Sequence, residues 1–266
     1  MGKYLYCYKL NLKKAYYYRL NTIITLLFYN ISFIITIYFW KLIYGGSKSL
    51  ILNGFNFSKI VTYFLIHNLF YFFVFYDVGL NCVDLIKSGG LTYHLLKPYK
   101  FTIMIYVKHL SNKFMDFLSQ IIMVILMLPL LGKLLAVNFN SLNVVYILIF
   151  ILLSTVTSFL IGSILGALSF WIEDAKWVIW TFQVFFNFLS GVFIPLDFFP
   201  QSAIPILEVM PFMTWGYIPT KIYLEFYSIG KIHFLLLINI AWFILLFLIH
   251  KIIWKFGLRN YTSVGG

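Results

Sequence analysis

The chain has 266 residues, of which 62% are hydrophobic and only 11% charged, and its net charge is +12. A soluble domain carries charge on about a quarter of its residues, so this composition excludes an ordinary soluble protein and indicates an integral membrane protein. The lysines are scattered between apolar runs, which argues against nucleic acid as a partner and favours basic loops beside membrane spans.

The segment before the first apolar run, KYLYCYKLNLKKAYYYRL at 3–20, has apolar residues on one helical face and lysines on the other. This pattern predicts an N-terminal interfacial helix lying at the membrane surface, in contact with membrane lipid. The alternative is a disordered basic start.

Six apolar runs are long enough to cross a bilayer as helices, and they are continuous instead of alternating, which favours helices over strands. The predicted fold class is all-α: a polytopic membrane protein with six transmembrane helices in a single transmembrane domain, 1–266. The predicted spans are 22–43, 60–80, 114–136, 143–170, 177–194 and 232–254.

The Lys and Arg residues predict the orientation of these spans. Fourteen of the twenty fall before span one, around the loop between spans two and three, after span four, or in the tail. Because basic residues accumulate on the cytoplasmic side, both termini are predicted to be cytoplasmic.

The cytoplasmic loop at 84–100 reads DLIKSGGLTYHLLKPYK. It is amphipathic, with a Gly-Gly break followed by a leucine-rich turn that ends at a proline. Apolar side chains in such a loop favour a partner surface. The alternative is a loop that lies against the membrane.

Polar and small residues inside the spans suggest helix packing or a transport path. Ser154, Ser158, Gly162 and Gly166 follow one another at four-residue spacing in span four, which lets helix backbones approach closely. This stripe predicts helix packing within one bundle or an interface with a subunit or moving helix.

In span five, Gln183 and Asn187 share a face. They are predicted to bond a neighbouring helix or to line a substrate path.

His67 and Asn68 lie well inside span two, which predicts hydrogen bonds between helices or, as the alternative, a proton relay.

Helix breakers crowd the end of span five, where LSGVFIPLDFFP occupies 189–200. Pro195 and Pro200 are expected to turn the chain, and Gly191 to let it bend or pack closely. Asp197 is expected to cap a short helix or to reach water. The region 189–231 is predicted to face outward.

The sequence contains no recognisable motif for nucleotide binding, catalysis or metal binding. There is no phosphate-binding loop with the G-x-x-x-x-G-K-[ST] spacing, no set of catalytic residues and no metal cluster. The sequence therefore predicts neither an enzyme nor a bound cofactor. A transport protein that has no energy source of its own can be driven by a partner protein that binds its cytoplasmic loop.

Several motifs in chain order resemble one family of membrane proteins. The acidic residue followed by I-x-S-G-G-L-x-x-x-L-L-K-P, and later SGVFIPLDFFP, resemble motifs of ABC-2 type ABC-transporter permeases. The closer resemblance is to a branch of six-span permeases of about this length, formerly listed as a domain of unknown function. FW at 170–171, PF at 211–212, YIP at 217–219 and the closing YTSVGG agree as well. The resemblance covers 80 to the end, whereas 1–79 match only in layout.

The resemblance implies a permease that carries no ATPase and exports an amphipathic small molecule, drug or peptide antibiotic from a bacterium through its cytoplasmic (inner) membrane. Two cytoplasmic ABC ATP-binding subunits would hold ATP and Mg, and a second, non-identical permease would complete the transporter. The loop between spans two and three would be a coupling helix that docks on the ATPase. The implied docking residues are Ile86, Gly89, Gly90, Leu91, Leu95, Leu96, Lys97 and Pro98.

The resemblance also implies that span five is followed by a re-entrant outer segment that closes an outer gate. Its residues are Gly191, Pro195, Asp197, Pro200 and Pro211. An ordinary outer loop is the alternative. For the whole protein, the alternatives are an ion-coupled secondary transporter and a non-transporting membrane or immunity protein.

Overall fold

The computed structural model of the chain describes residues 2–17, 19–45, 50–74, 78–136 and 140–262. These residues form helices joined by turns, with one isolated bridge between Leu52 and Phe55 and no strand among them. The helices are α1 Gly2–Tyr17, α2 Arg19–Ile43, α3 Phe57–Val74, α4 Val78–Lys87, α5 Leu91–Leu95, α6 Phe101–Leu131, α7 Ser141–Ala167, α8 Ala175–Leu189, α9 Ile204–Glu208, α10 Tyr217–Tyr223 and α11 Ile229–Asn260.

Each predicted span overlaps at least one helix, but several boundaries differ. The second predicted span, 60–80, covers most of α3, which is described to Val74, and the first residues of α4, which is described from Val78; residues 75–77 lie outside the described residues. The third was predicted from 114, yet α6 starts at Phe101, because the polar residues of its first turns do not interrupt the helix. The fifth was predicted to reach 194, but α8 ends at Leu189.

Three described helical segments are long and apolar enough to cross a membrane: Phe101–Pro129, Ser141–Phe170 and Ile229–Asn260. Asn30–Ile43 is a shorter apolar helix. These segments support a membrane-embedded, all-helical protein. The count of six spans stays a prediction.

Helix α7 is the central element of the fold. It contacts α3, α4, α8, α10 and α11. Its polar residues bond within the protein, as Ser163 does with His250 of α11 at 3.0 Å. Helix–helix hydrogen bonds of this kind hold spans together where hydrophobic burial adds little.

Among the described residues, buried side chains form three clusters, of which two are large. One of the large clusters gathers Phe55, Tyr63, Trp215 and Tyr217 around the region that follows α8. The other gathers Leu91, Phe101 and Trp254 beside the loop that follows α4. The loop at 84–100 and the region that follows α8 are therefore each anchored in one of the two large clusters.

Candidate functional site

The loop at 84–100, called the docking loop below after its predicted role, begins with the end of a helix that a glycine terminates. Gly89 adopts the left-handed conformation, with φ +71°, and its amide donates to the Ile86 carbonyl at 3.3 Å. Glycine takes this conformation without the steric cost of a side chain, and so ends α4. Gly90 leads directly into α5, where the Leu96 amide donates to the Thr92 carbonyl at 3.1 Å.

The leucines of the docking loop fall into a buried and an exposed group. Leu91 is 0% exposed and Ile86 is also buried, and both belong to the core cluster around Trp254. By contrast, Leu95 is 46% and Leu96 82% exposed. The loop is thus anchored through one face while presenting apolar side chains on the other.

Distant parts of the chain hold the docking loop at both ends. The Thr92 hydroxyl hydrogen-bonds the Tyr261 hydroxyl at 3.1 Å, which ties α5 to the C-terminal tail. At the other end, the Lys3 ammonium donates to the Pro98 carbonyl. The Lys100 amide donates to the Tyr4 hydroxyl at 3.2 Å. Sequence reasoning missed these contacts, because nothing in the local spacing indicates them.

Positive charge surrounds the end of the docking loop. Lys97 donates to the Tyr93 hydroxyl, and its ammonium lies 3.8 Å from the centre of that ring. His94 hydrogen-bonds the Tyr99 hydroxyl at 2.7 Å. Burial lowers the pKa of His94, and the nearby Lys108 and Lys97 lower it further. The imidazole therefore stays neutral where an exposed histidine would begin to take up a proton.

The region 189–231, called the outer segment below after its predicted orientation, starts with a tight turn fixed by α3. Gly191 has φ +83°, and its carbonyl accepts a hydrogen bond from the Tyr63 hydroxyl at 3.0 Å. A Cβ at Gly191 would lie 2.5 Å from that hydroxyl oxygen. The turn therefore requires glycine both for its backbone conformation and for the close approach of Tyr63.

His67 fastens two parts of the outer segment to α3. Its Nε2 lies 3.1 Å from the Ser190 carbonyl, and a Cβ added to Gly216 would lie 2.6 Å from the same nitrogen. The ring is thus packed between the end of α8 and the start of α10. The contact with Ser190 is a hydrogen bond between α3 and the end of α8, as expected from the sequence.

A buried ion pair joins the prolines of the outer segment to α10. The Lys221 ammonium lies 2.6 Å from Asp197 Oδ1, with side-chain exposures of 6% and 19%. The Tyr217 hydroxyl donates to Asp197 Oδ2 at 3.1 Å, and the Lys221 ammonium lies 3.9 Å from the Phe226 ring centre. From the sequence, Asp197 was expected to cap a short helix or to reach water, and its side chain keeps 19% exposure. Its carboxylate also balances a buried cation that the sequence analysis did not single out.

A second carboxylate links the outer segment to the last helix. Glu208, which is buried, lies 2.8 Å from the Lys231 ammonium at the start of α11 and accepts a hydrogen bond from the Tyr227 hydroxyl. Nearby, the indole of Trp242 donates to the Val209 carbonyl at 2.8 Å. These bonds fix α9 against α11.

The outer segment packs against the middle of α7. The Ser154 hydroxyl donates to the Thr214 carbonyl at 2.9 Å. Ser154 lies about 20 Å along α7 from its first residue, at 1.5 Å per residue. Residues 211–222 are buried throughout, including Pro211. Pro195 is buried and Pro200 exposed.

The small residues of span four are buried inside this chain. Ser154, Ser158, Gly162 and Gly166 are all buried. A Cβ added to Gly166 would lie 2.7 Å from the Cβ of Cys82 in α4. The stripe therefore contributes to packing within this chain, and a role at a subunit or moving-helix interface stays a prediction.

Gln183 and Asn187 are half-buried on α8, a helix that packs on α4 and α7. Other side chains of α8 are strongly exposed, namely Trp177, Val184, Phe185 and Phe188. The two amides therefore lie beside an apolar surface that the chain itself leaves uncovered.

These features define a helical membrane protein with an anchored loop at one end and a densely packed, proline-rich segment elsewhere. The family model described as ABC-2 family transporter protein matches residues 26–265. Since this match covers most of the chain, the protein belongs to the ABC-2 family, and the resemblance noted in its motifs is confirmed. It is the membrane permease of an ABC transporter, a class that works with ABC ATP-binding subunits. No match was found among curated proteins.

Proposed function

We propose that this permease exports an amphipathic small molecule, drug or peptide antibiotic across the bacterial inner membrane. The surface of α8 supports an amphipathic substrate, because the half-buried Gln183 and Asn187 adjoin exposed aromatic and aliphatic side chains. Such a mixed surface suits a molecule with one polar and one apolar side. Membership of the ABC-2 family makes the ion-coupled and non-transporting alternatives less favourable.

The docking loop serves in this proposal as the coupling helix. The observation that carries it is the division between the buried anchor Leu91 and the exposed pair Leu95 and Leu96. An exposed apolar pair on an anchored support is the pattern expected of a protein contact. Two ATP-binding subunits would hold ATP and Mg and move α5 when they close on the nucleotide.

The outer segment closes the outer gate in this proposal. Its bonds to the middle of α7 and α3, through Ser154 and His67, support a re-entrant path to membrane depth. Irregular backbone is tolerated at that depth when it is buried in protein.

The second permease is proposed to be non-identical and to meet this chain beside α8. Both termini are proposed to be cytoplasmic.

The test is co-purification with the ATP-binding subunit from mild detergent, followed by an ATPase assay. We expect Leu95→Asp and Leu96→Asp to abolish association while leaving membrane insertion intact, since each places a charge on the proposed contact surface. Ile206→Asp is the matched control, because Ile206 is also an exposed apolar residue but lies on α9. Undiminished co-purification of both docking-loop variants would remove the coupling assignment.

A further inference from the structure

A large cavity lies between the N-terminal helix, the docking loop and the start of α6. Its volume is about 680 Å³. One face of α1 forms one wall, through residues spaced three and four apart. These residues are Lys3, Tyr6, Cys7, Leu10, Asn11 and Lys14.

The cavity has an excess of positive charge. Lys3, Lys14, Lys97 and Lys108 line it, whereas Asp84 is the acidic lining residue. Asp84 is already paired with Lys176, at 2.6 Å. Among the described residues, no carboxylate lies within ion-pair distance of Lys97 or Lys108.

The lysine that the docking loop contributes is held by neutral groups. Lys97 contacts the Tyr93 hydroxyl and ring, so its charge is oriented but not neutralised. The same positive potential accounts for part of the lowered pKa of His94, which Lys108 and Lys97 reinforce after burial. An anionic group in the cavity would meet charges that this chain leaves uncompensated.

Apolar side chains form another part of the lining. Leu10 of α1, Leu85 of α4, and Met104 and Ile105 of α6 line the same cavity. Met104 and Ile105 belong to the first turns of α6, which is a candidate span from Phe101 onward. The cavity thus combines cations with apolar surface beside the first turns of a candidate span.

We propose that this cavity binds one anionic glycerophospholipid of the surrounding membrane. Its phosphate would lie among the ammonium groups of Lys97 and Lys108, and the upper part of an acyl chain against Leu10, Leu85 and Met104. Basic pockets between helices at the membrane surface bind anionic headgroups in this way. A nucleotide or free phosphate would leave the apolar wall uncovered, which is why a lipid is the occupant that fits.

Occupancy would add a bridge between the elements that line the cavity. The lining residues come from α1, α4, the docking loop and α6, and Lys3 and Tyr4 of α1 already bond to the end of the loop. A lipid bridging these walls would hold the docking loop against the membrane face of α1. Lipid binding itself does not depend on the proposed transport function and is tested without the ATPase.

The experiment measures lipid retention by the purified full-length permease. The protein is delipidated, reconstituted in nanodiscs of phosphatidylcholine with a minor share of phosphatidylglycerol, released, and analysed by native mass spectrometry. The test variant is Lys97→Gln with Lys108→Gln. The matched control is Lys251→Gln with Lys255→Gln, which removes the same charge from α11, outside the cavity.

We expect the native protein and the control to retain phosphatidylglycerol over phosphatidylcholine. The cavity variant should lose about twenty-fivefold in affinity, since each of the two lysines near an anionic lipid contributes about fivefold. Equal losses in both double variants, or no preference for phosphatidylglycerol, would overturn the proposal. Displacement of the lipid by glycerol 3-phosphate at equal concentration would also overturn it, because the acyl chain would then contribute nothing.

Discussion

At the scale of single residues, the outer segment depends on a buried ion pair and on glycines whose neighbours leave no room for a side chain. Lys221 is almost fully buried, and its compensation comes from Asp197, from the Tyr217 hydroxyl bonded to that carboxylate, and from the face of Phe226. An aromatic face attracts a desolvated ammonium in addition to its counter-ion. Removing the Asp197 carboxylate takes away the counter-ion that lies against the buried Lys221 ammonium.

We therefore expect Asp197→Asn to destabilise the permease by about 3 kcal/mol, because it leaves the Lys221 ammonium buried without its counter-charge. Thermal unfolding in mild detergent at one heating rate measures the change. Lys176→Met, which breaks the exposed pair with Asp84, is the control and should cost less than about 1 kcal/mol. A double variant, Asp197→Asn with Lys221→Met, should be more stable than Asp197→Asn alone. Equal effects of the two single variants would contradict the buried-pair interpretation.

The packing of Gly216 against His67 gives a second prediction at this scale. Gly216→Ala should destabilise the protein by about 1–3 kcal/mol, since its Cβ would lie 2.6 Å from the imidazole and force a shift in a filled core. Gly230→Ala is the control, because nothing lies within 4 Å of a Cβ there. Combining Gly216→Ala with His67→Ala should cost less than the sum of the two changes. Strict additivity in thermal unfolding would argue against the contact.

At the scale of elements, short helices are positioned by long ones. The docking loop has five residues of helix in α5, which is too short to be stable alone. It is held by the buried side chains Ile86 and Leu91 and by bonds to α1 and the tail. The outer segment likewise consists of α9, α10 and single helical turns fixed to α3, α7 and α11. Both regions are therefore expected to move with the helices that anchor them.

The prolines of the outer segment are expected to restrict the conformation of the chain between α8 and α9. Replacing Pro195 and Pro200 together by Ala should spare ATPase binding but alter transport. The chain between α8 and α9 would gain conformations that proline forbids, which weakens the closed state. Export by reconstituted vesicles and co-purification with the ATPase are the two measurements. Unchanged export in the double variant would reduce the outer segment to a passive loop.

At the scale of the whole molecule, α7 connects the two large clusters of buried side chains, which differ in their share of aromatic residues. The core beside the outer segment is rich in aromatic rings, and the core beside the docking loop includes Leu91 and Trp254. Helix α7 contributes Phe150 to the first and Phe159 to the second. A tilt of α7 would therefore displace both regions at once, which is the coupling that a two-state transporter requires.

The predicted orientation is tested at this scale by labelling single cysteines in intact cells. In a Cys7→Ser, Cys82→Ala background, we expect Gln201→Cys to react with a membrane-impermeant maleimide added outside. Lys87→Cys should react only after the membrane is permeabilised, because the lysine distribution predicts that this loop is cytoplasmic. Both positions are exposed, so accessibility in the fold does not distinguish them. The reverse pattern of labelling would invert the topology.

The sequence by itself determined the class, the helices and the family. Continuous apolar runs are a local property, so the existence of helices near α2, α3, α6, α7, α8 and α11 could be read directly, and the docking-loop motif identified the permease family. The boundaries of the helices were harder to predict. Helix α6 begins thirteen residues before the predicted start, because the apolar run marks only the part of a helix that is suited to the membrane.

Only the tertiary structure decided which residues meet. Asp197 pairs with Lys221, Thr92 with Tyr261, and Lys3 with the carbonyl of Pro98. The cavity beside α1 likewise exists because α1, α4, the docking loop and α6 converge on it. These pairings depend on how helices cross, and crossing is fixed by close approaches such as Gly166 on Cys82. Hydrophobic runs specify that helices form, but the fit of side chains between them specifies where each charge and hydroxyl finds its partner.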